Sequence, residues 1–140
     1  VNDFGHDVER LEFLKVANEE LGDHLEPHSI DLAVAYLSLQ FAPPEDFARL
    51  WEALKASLKP GGKLAVILVG DRDDWAQKTL ADGSRAYKKM NFHSREDIEK
   101  LLTGFEDAEV REEEEDGKTH DGVAKHWHTF YVEAQKPTDA

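Results

Sequence analysis

The sequence predicts a single α/β domain built around a parallel sheet, and three observations carry this prediction. Residues 30–39 form a near-continuous apolar run, which is typical of a strand covered on both faces of a parallel sheet. An amphipathic helical pattern follows over residues 45–59, and a second apolar run follows over residues 63–69. Strand, helix and strand in this order form a βαβ unit. The length of 140 residues fits one domain, residues 1–140, with a frayed tail at residues 137–140.

Composition narrows the classes of function. The chain carries 30 acidic and 17 basic residues, a formal net charge of −13, which disfavours a phosphate backbone, so no nucleic-acid partner is expected. The absence of cysteine excludes disulfides, thiolate nucleophiles and zinc–sulfur sites, and it fits a reducing, cytoplasmic location. No apolar run approaches the ~18 residues of a membrane span, so no membrane association is expected. The start at Val1 lacks the features of a signal peptide, and the missing initiator methionine indicates a chain that is processed, trimmed or taken from a larger piece.

Two helices are expected after the first apolar strand. The first has apolar residues at helical spacing, and Pro-Gly-Gly at residues 60–62 is expected to end it; its apolar residues are Phe47, Leu50, Trp51, Leu54 and Leu58. The second is expected to begin at Ser94, because Asp97 three residues later has the spacing of a capping box. Gly104 is expected to end this second helix.

The remaining elements are predicted to be strands. Residues 108–114 and 125–135 are separated by a short polar loop and are expected to form a β-hairpin. Alternation along the last strand places His126, His128 and Phe130 on one face. Residues 11–17 fit either a short strand or a helix, and the strand is favoured.

Several phrases of the sequence resemble one known family. The strand at residues 30–35 (IDLAVA) and the turn at residues 58–64 (LKPGGKL) resemble the fourth strand and the following turn of class I S-adenosylmethionine-dependent methyltransferases. Four phrases are similar to the small-molecule branch of TehB-like (tellurite-resistance) and type 11 or 12 methyltransferases: residues 37–44 (LSLQFAPP), 70–75 (GDRDDW), 92–96 (FHSRE) and 125–130 (KHWHTF). The resemblance covers residues 11–136. It implies a partial Rossmann-like sheet, with family strands 3-4-5-7-6 and a closing antiparallel hairpin, that lacks the first two strands.

The resemblance implies S-adenosylmethionine as the cofactor and methyl transfer to a small molecule as the activity. In this family a glycine-rich turn after the first strand holds the cofactor, yet no G-x-G turn follows any predicted strand here. Activity of this chain alone is therefore expected to be incomplete or absent. The implied cofactor contacts are Asn18, which would follow the third family strand, and Tyr36 and Ser38 after the fourth.

The candidate substrate contacts follow from the general position of ligands in open α/β sheets, outside the carboxyl ends of the strands. Six residues are candidates: Gln40, Asp71, Arg72, Trp75, His126 and His128. For Asp71, Arg72 and Trp75 the alternative is an ion pair with a packing aromatic ring. The two histidines have no third ligand at a diagnostic spacing, so no metal site is predicted. No catalytic residue is singled out, because alignment and a dehydrated pocket supply most of the rate of methyl transfer.

A non-catalytic half domain is the second interpretation. In the family strand order 3-2-1-4-5-7-6, the missing strands would lie between the third and the fourth. Their absence would expose the backbone of the strand from Ile30 to Leu39, and such an edge pairs readily with another chain. A homodimer, an exchanged N-terminal segment or a partner chain is therefore expected. In either interpretation, residues 36–40 and 71–75 are expected to share one rim of the sheet.

Overall fold

The computed structural model describes residue 23 and residues 25–139. Its elements are β1 (Ile30–Tyr36), α1 (Pro44–Ser57), β2 (Leu58–Val69), α2 (Asp74–Gln77), α3 (Arg95–Leu101), β3 (Glu106–Lys118) and β4 (Ala124–Gln135), with a 3₁₀ turn at Leu39–Phe41. The strands form one sheet in the order β1-β2-β4-β3. β1 and β2 are parallel, whereas β4 is antiparallel to both of its neighbours. The predicted α/β class is confirmed; the predicted strand at residues 11–17 and Asn18 lie outside the described residues.

The core lies between one face of the sheet and the helices α1 and α3. α1 begins beside Pro43 and Pro44, where proline costs no helical hydrogen bond. Its apolar face packs against inward-facing residues of β2 and β4, and the buried cluster includes Phe47, Leu50, Trp51, Leu54, Leu64, Val66, Leu68, Ile98, Phe130 and Val132. Trp51 also donates its indole N–H to the carbonyl of Leu101 at 3.0 Å, which joins α1 to the end of α3. No helix in this part of the chain is long and apolar enough to cross a membrane.

The end of α1 differs from the prediction. α1 ends at Ser57 and β2 begins at once at Leu58, so Pro-Gly-Gly lies inside the strand instead of ending the helix. Ile30 pairs with Leu58 and Leu32 with Lys63, so residues 59–62 bulge out opposite a single residue of β1. A Cβ on Gly62 would lie 2.8 Å from the carbonyl oxygen of Lys59, so the bulge itself requires this glycine.

The hairpin and the capping box are confirmed. β3 and β4 pair from Glu106 with Gln135 to Lys118 with Ala124, so β3 is longer than residues 108–114. The side chain of Ser94 accepts a hydrogen bond from the Asp97 backbone, and the Asp97 carboxylate accepts one from Ser94. The short helix α2 was not predicted from the sequence.

The second face of β1 differs from the expectation that this strand is covered on both sides. Leu32, Val34 and Tyr36 are 49%, 54% and 57% exposed, whereas Ala33 and Ala35 pack toward the core. Among the described strands β1 pairs only with β2. β1 is thus an outer strand of the described sheet, and one of its faces is apolar and exposed.

Candidate functional site at the carboxyl end of the parallel strands

The segments that follow β1 and β2 leave the sheet at the same end. Tyr36 pairs with Ile67, and the N–H of Leu37 donates to the carbonyl of Ile67 at 3.2 Å. Leu37 has a φ of 53°, which turns the chain at the end of β1. Since β2 ends two residues later at Val69, residues 36–40 and 71–75 share one rim, as expected. The ligand contacts assigned to them stay predictions.

A short segment, residues 91–93, lies between these two stretches and forms a brace that joins them. The backbone N–H of Asn91 donates to the carbonyl of Gln40 at 3.0 Å, and that of His93 donates to Val69 at 3.0 Å. The N–H of Asp71 donates back to the carbonyl of His93 at 2.8 Å. The rim is therefore built from three stretches of chain, of which sequence analysis identified two.

His93 is a buried neutral histidine in this brace. The Asn91 Nδ2 donates to the carbonyls of Leu39 and Ala42, both at 2.8 Å, so its Oδ1 must face His93 as an acceptor. His93 Nε2 lies 2.7 Å from that oxygen and therefore carries the proton. Burial lowers the pKa of His93 to about 4, because the charged form would lose its water.

Gln40 carries an unpaired polar atom at the rim. Its side chain is 4% exposed and its Nε2 donates to the carbonyl of Leu37 at 2.9 Å. Its Oε1 is the only buried side-chain N or O atom without a hydrogen-bond partner among the residues that the structure describes. A buried acceptor left unpaired costs roughly 1–3 kcal/mol, so this oxygen is a ready acceptor for a hydrogen-bond donor.

Arg72 and His128 belong to an ion-pair network with β3. The Arg72 guanidinium donates to Glu114 and, at 2.8 Å, to Glu112. The backbone N–H of Arg72 donates to His128 Nδ1 at 3.0 Å, so His128 Nε2 carries the proton that it donates to Glu112 at 2.7 Å. The hydrogen bond from His128 and the charge of Arg72 lower the pKa of Glu112. The network favours the ion-pair alternative for Arg72, and the full burial of His128 favours a structural role for this histidine over ligand contact.

His126 lies at the outer end of the same network. Its Nδ1 is 2.8 Å from Asp116 and its Nε2 is 3.1 Å from Glu114. These two hydrogen bonds raise the pKa of His126. The two histidines thus bond to different carboxylates and do not converge on one point.

One group of metal-ligand type occurs in the described part of the chain, formed by Glu112, Glu114 and His128 with ligand atoms within 4.8 Å of one another. The guanidinium of Arg72 bonds to both carboxylates of this group. The proton on His128 Nε2 is also directed to Glu112. Both carboxylates of this group are therefore already paired with the guanidinium cation of Arg72, which takes the place that a metal ion would need.

Trp75 forms the wall of a cleft of about 700 Å³ beyond the end of β2. Its ring centroid lies 5.6 Å from that of Tyr87 and 5.8 Å from that of Trp127. The cleft continues to the turn between β3 and β4, residues 119–123. Because β4 runs antiparallel to β2, its first residues overhang the carboxyl end of β2, and Trp127 reaches the cleft.

A lysine that lines this cleft, Lys125, and its ion-pair partner Asp73 were not predicted as site residues. Lys125 and Asp73 are buried and form an ion pair, with Nζ 2.5 Å from Oδ1. The alternation of β4 places Lys125 on the same face as Trp127, which was a usable signal. Nothing in the sequence marks Asp73 among its acidic neighbours.

Solved structures reveal which proteins share this arrangement. A methyltransferase from Thermotoga maritima that depends on S-adenosylmethionine superimposes with a TM-score of 0.59 and 22% identity, over 90% of this chain and 64% of that one. TehB from Haemophilus influenzae gives 0.59 at 13% identity, over 94% and 44%. The N-methyltransferase NodS from Bradyrhizobium japonicum, solved with S-adenosyl-L-homocysteine, gives 0.58 at 12% identity, over 94% and 59%.

The fold is that of the S-adenosylmethionine-dependent methyltransferases. In the methyltransferase strand order 3-2-1-4-5-7-6, the described order β1-β2-β4-β3 corresponds to strands 4-5-7-6. The chain spans less than two thirds of the Thermotoga maritima methyltransferase, which agrees with a partial methyltransferase fold. The sequence matches no protein-family model and no curated protein.

Proposed function

We propose that this chain is part of an S-adenosylmethionine-dependent methyltransferase that acts on a small molecule. The single observation that carries the proposal is the strand order β1-β2-β4-β3, with β4 antiparallel between β2 and β3. The methyltransferases that superimpose on the chain share this fold, and NodS was solved with the demethylated cofactor. Ligands of open α/β sheets bind outside the carboxyl ends of the strands, where the rim described above lies.

The residues of the rim fit one side of the cofactor. Tyr36 is exposed at the end of β1, Ser38 follows it, and the Gln40 oxygen is an unpaired acceptor beside them. Asn18 is the third proposed cofactor contact. No glycine-rich turn follows a strand at this rim in residues 25–139, so the methionine end of the cofactor has no holder among them. When bound, the cofactor supplies a methyl group that its sulfonium has already activated.

The chain's own residues would then bind and orient the methyl acceptor and exclude water. The cleft walled by Trp75 lies at the rim and is large enough for a small molecule, since ligand pockets are typically ~300–1,000 Å³. Asp71, the other proposed substrate contact of this stretch, is held at the rim by its backbone hydrogen bond to the carbonyl of His93. Positioning of the acceptor supplies most of the rate of methyl transfer, and no catalytic residue is assigned in this chain.

Calorimetric titration with S-adenosylhomocysteine tests this proposal. We expect binding by the chain, weakened about tenfold by Tyr36→Ala. Leu32→Ala is the matched control, because Leu32 is exposed on the same face of β1 but away from the carboxyl end. No heat and no change in melting temperature with the cofactor would contradict the proposal.

A non-catalytic half domain that pairs with a second copy or a partner chain is the second candidate. β1 is an outer strand of the described sheet, and its side chains Leu32 and Val34 are exposed. Both observations favour this candidate, because an outer strand pairs readily with a further strand. Sedimentation velocity should reveal a dimer, or a monomer that dimerises with the partner. Val34→Lys should shift the equilibrium to monomer, whereas a wild-type chain that stays monomeric without a partner would refute this candidate.

A further inference from the structure

The ammonium of Lys125 occupies a cage of aromatic rings. Its Nζ lies 3.6 Å from the ring centroid of Trp127 and 4.2 Å from that of Trp75. The Lys125 side chain is 2% exposed, so this cation is almost entirely removed from water. Cation–π attraction is strongest for tryptophan and increases on desolvation. The inner part of the cleft is therefore already filled by a cation of the chain itself.

Asp73 holds this cation in place. One of its carboxylate oxygens accepts from Lys125 Nζ and from the backbone N–H of Trp75, the latter at 3.0 Å. The other accepts from the backbone N–H of His128 at 3.2 Å. Asp73 is fully buried and joins α2 to β4, so it fixes both tryptophans relative to the ammonium. A buried charge that is paired in this way is costly to displace.

The outer part of the cleft has a different chemistry. Tyr87 and Trp75 are tilted by 36° and supply ring surface for a flat molecule. Asp74 and Asp121 line the cleft and provide carboxylate acceptors, and Lys78 lines it as well. A hydroxyl or amine donor is matched by the two carboxylates, whereas an anion is opposed by the net charge of −13 of the chain.

We propose that the cleft binds a neutral planar aromatic molecule with a hydroxyl or amine group, and that Lys125 excludes organic cations from the aromatic cage. An external ammonium would need the positions over the Trp75 and Trp127 rings that Lys125 occupies, and it would be repelled by Lys125. Lys125 is thus a specificity-determining residue. The identification of the bound molecule as the methyl acceptor rests on the proposed function. The binding of such a molecule in this cleft does not depend on that function.

Nuclear magnetic resonance of the three tryptophan indole N–H groups tests the proposal. Catechol is the neutral aromatic probe, tetramethylammonium the cation and benzoate the anion. Catechol should shift the signals of Trp75 and Trp127 and leave that of Trp51, whose N–H is bonded in the core, unchanged. Tetramethylammonium and benzoate should bind at least about tenfold more weakly than catechol.

The variant Lys125→Met vacates the cage and should bind tetramethylammonium about tenfold more tightly than the wild type. Because this change leaves Asp73 buried and unpaired, the double variant Asp73→Asn/Lys125→Met is the second test; its amide oxygen can still accept one of the two backbone hydrogen bonds of Asp73. Wild-type binding of tetramethylammonium as tight as that of catechol, or catechol shifts absent from Trp75 and Trp127, would overturn the proposal. A double variant that folds but binds tetramethylammonium no more tightly than the wild type would also overturn it. Binding of catechol without binding of S-adenosylhomocysteine would refute the proposed methyltransferase function and would leave the proposed ligand of the cleft standing.

Discussion

The imidazole ring of His128 lies against the backbone of Gly70, so closely that a Cβ at residue 70 would be 2.0 Å from Nδ1. The N–H of Gly70 also donates to the carbonyl of His128 at 2.7 Å. The same imidazole links Arg72 to Glu112. The junction between the end of β2 and the ion-pair network therefore requires a residue without a side chain, glycine, at position 70.

Gly70→Ala should destabilise the protein by roughly 1–3 kcal/mol, because the buried ring of His128 has no free space to move into. Urea denaturation measures this change. Gly117→Ala is the matched control, since a Cβ there would make only an ordinary 3.4 Å contact with Trp127. Equal stability of the two variants would show that the close packing at Gly70 is relaxed easily.

Stability should fall as the solution is acidified, in part because of His93. Its pKa is about 4 in the folded state and 6.5 for the free side chain, so the unfolded chain takes up a proton that the folded chain excludes between these values. The resulting loss of stability at pH 4.5 relative to pH 7 is about 2–3 kcal/mol. His93→Gln should reduce the pH dependence by that amount in urea titrations. An unchanged pH dependence would contradict a buried neutral His93.

Asn91→Ala should cost roughly 2–3 kcal/mol of stability. The change leaves three buried groups without their partner: the carbonyls of Leu39 and Ala42 and the Nε2–H of the His93 ring. Thermal unfolding measures the effect, and Gln77→Ala, which removes a single exposed hydrogen bond to Asp71, should be nearly neutral. A change of comparable size in both variants would argue against the brace.

His126 should titrate above its ordinary value of 6.5, since Asp116 and Glu114 stabilise its charged form. The stability that it contributes is fully present below pH 6.5 and is lost as the pH rises through the raised folded-state pKa. The imidazole proton signals in an NMR titration report this pKa directly. Asp116→Asn should lower it, whereas Glu113→Gln should not, because the Glu113 carboxylate pairs with Arg111 and not with His126.

The elements that the sequence predicts well are those governed by local rules. The capping box at Ser94 and Asp97 needs only residues three positions apart, and the alternation of the last strand needs only its own pattern. The Pro-Gly-Gly bulge was misread, because its glycines serve the pairing of β2 with β1 and not the end of α1. That requirement is visible only when the two strands are placed together.

The site residues illustrate the same limit. Tyr36, Gln40 and Trp75 could be located from the rule that ligands bind at the carboxyl ends of strands. The Asp73–Lys125 pair joins residues 52 positions apart, and it depends on how α2 packs on β4. Arg72 was a rim candidate, but its partners on β3 follow from the hairpin register, which the sequence does not specify.

The two outer strands of the described sheet, β1 and β3, have opposite characters. β3 reads EDAEVREEEEDGK, so a second copy that approaches it meets a dense row of like charges, whereas β1 reads IDLAVAY and offers no such repulsion. For the half-domain candidate, in which copies associate through β1, this difference would limit assembly at neutral pH to a closed pair of chains. In acid or concentrated salt the carboxylates of β3 would be neutralised or screened, so that β3 could pair with a further copy as well. The same candidate would then grow from copy to copy into open-ended filaments.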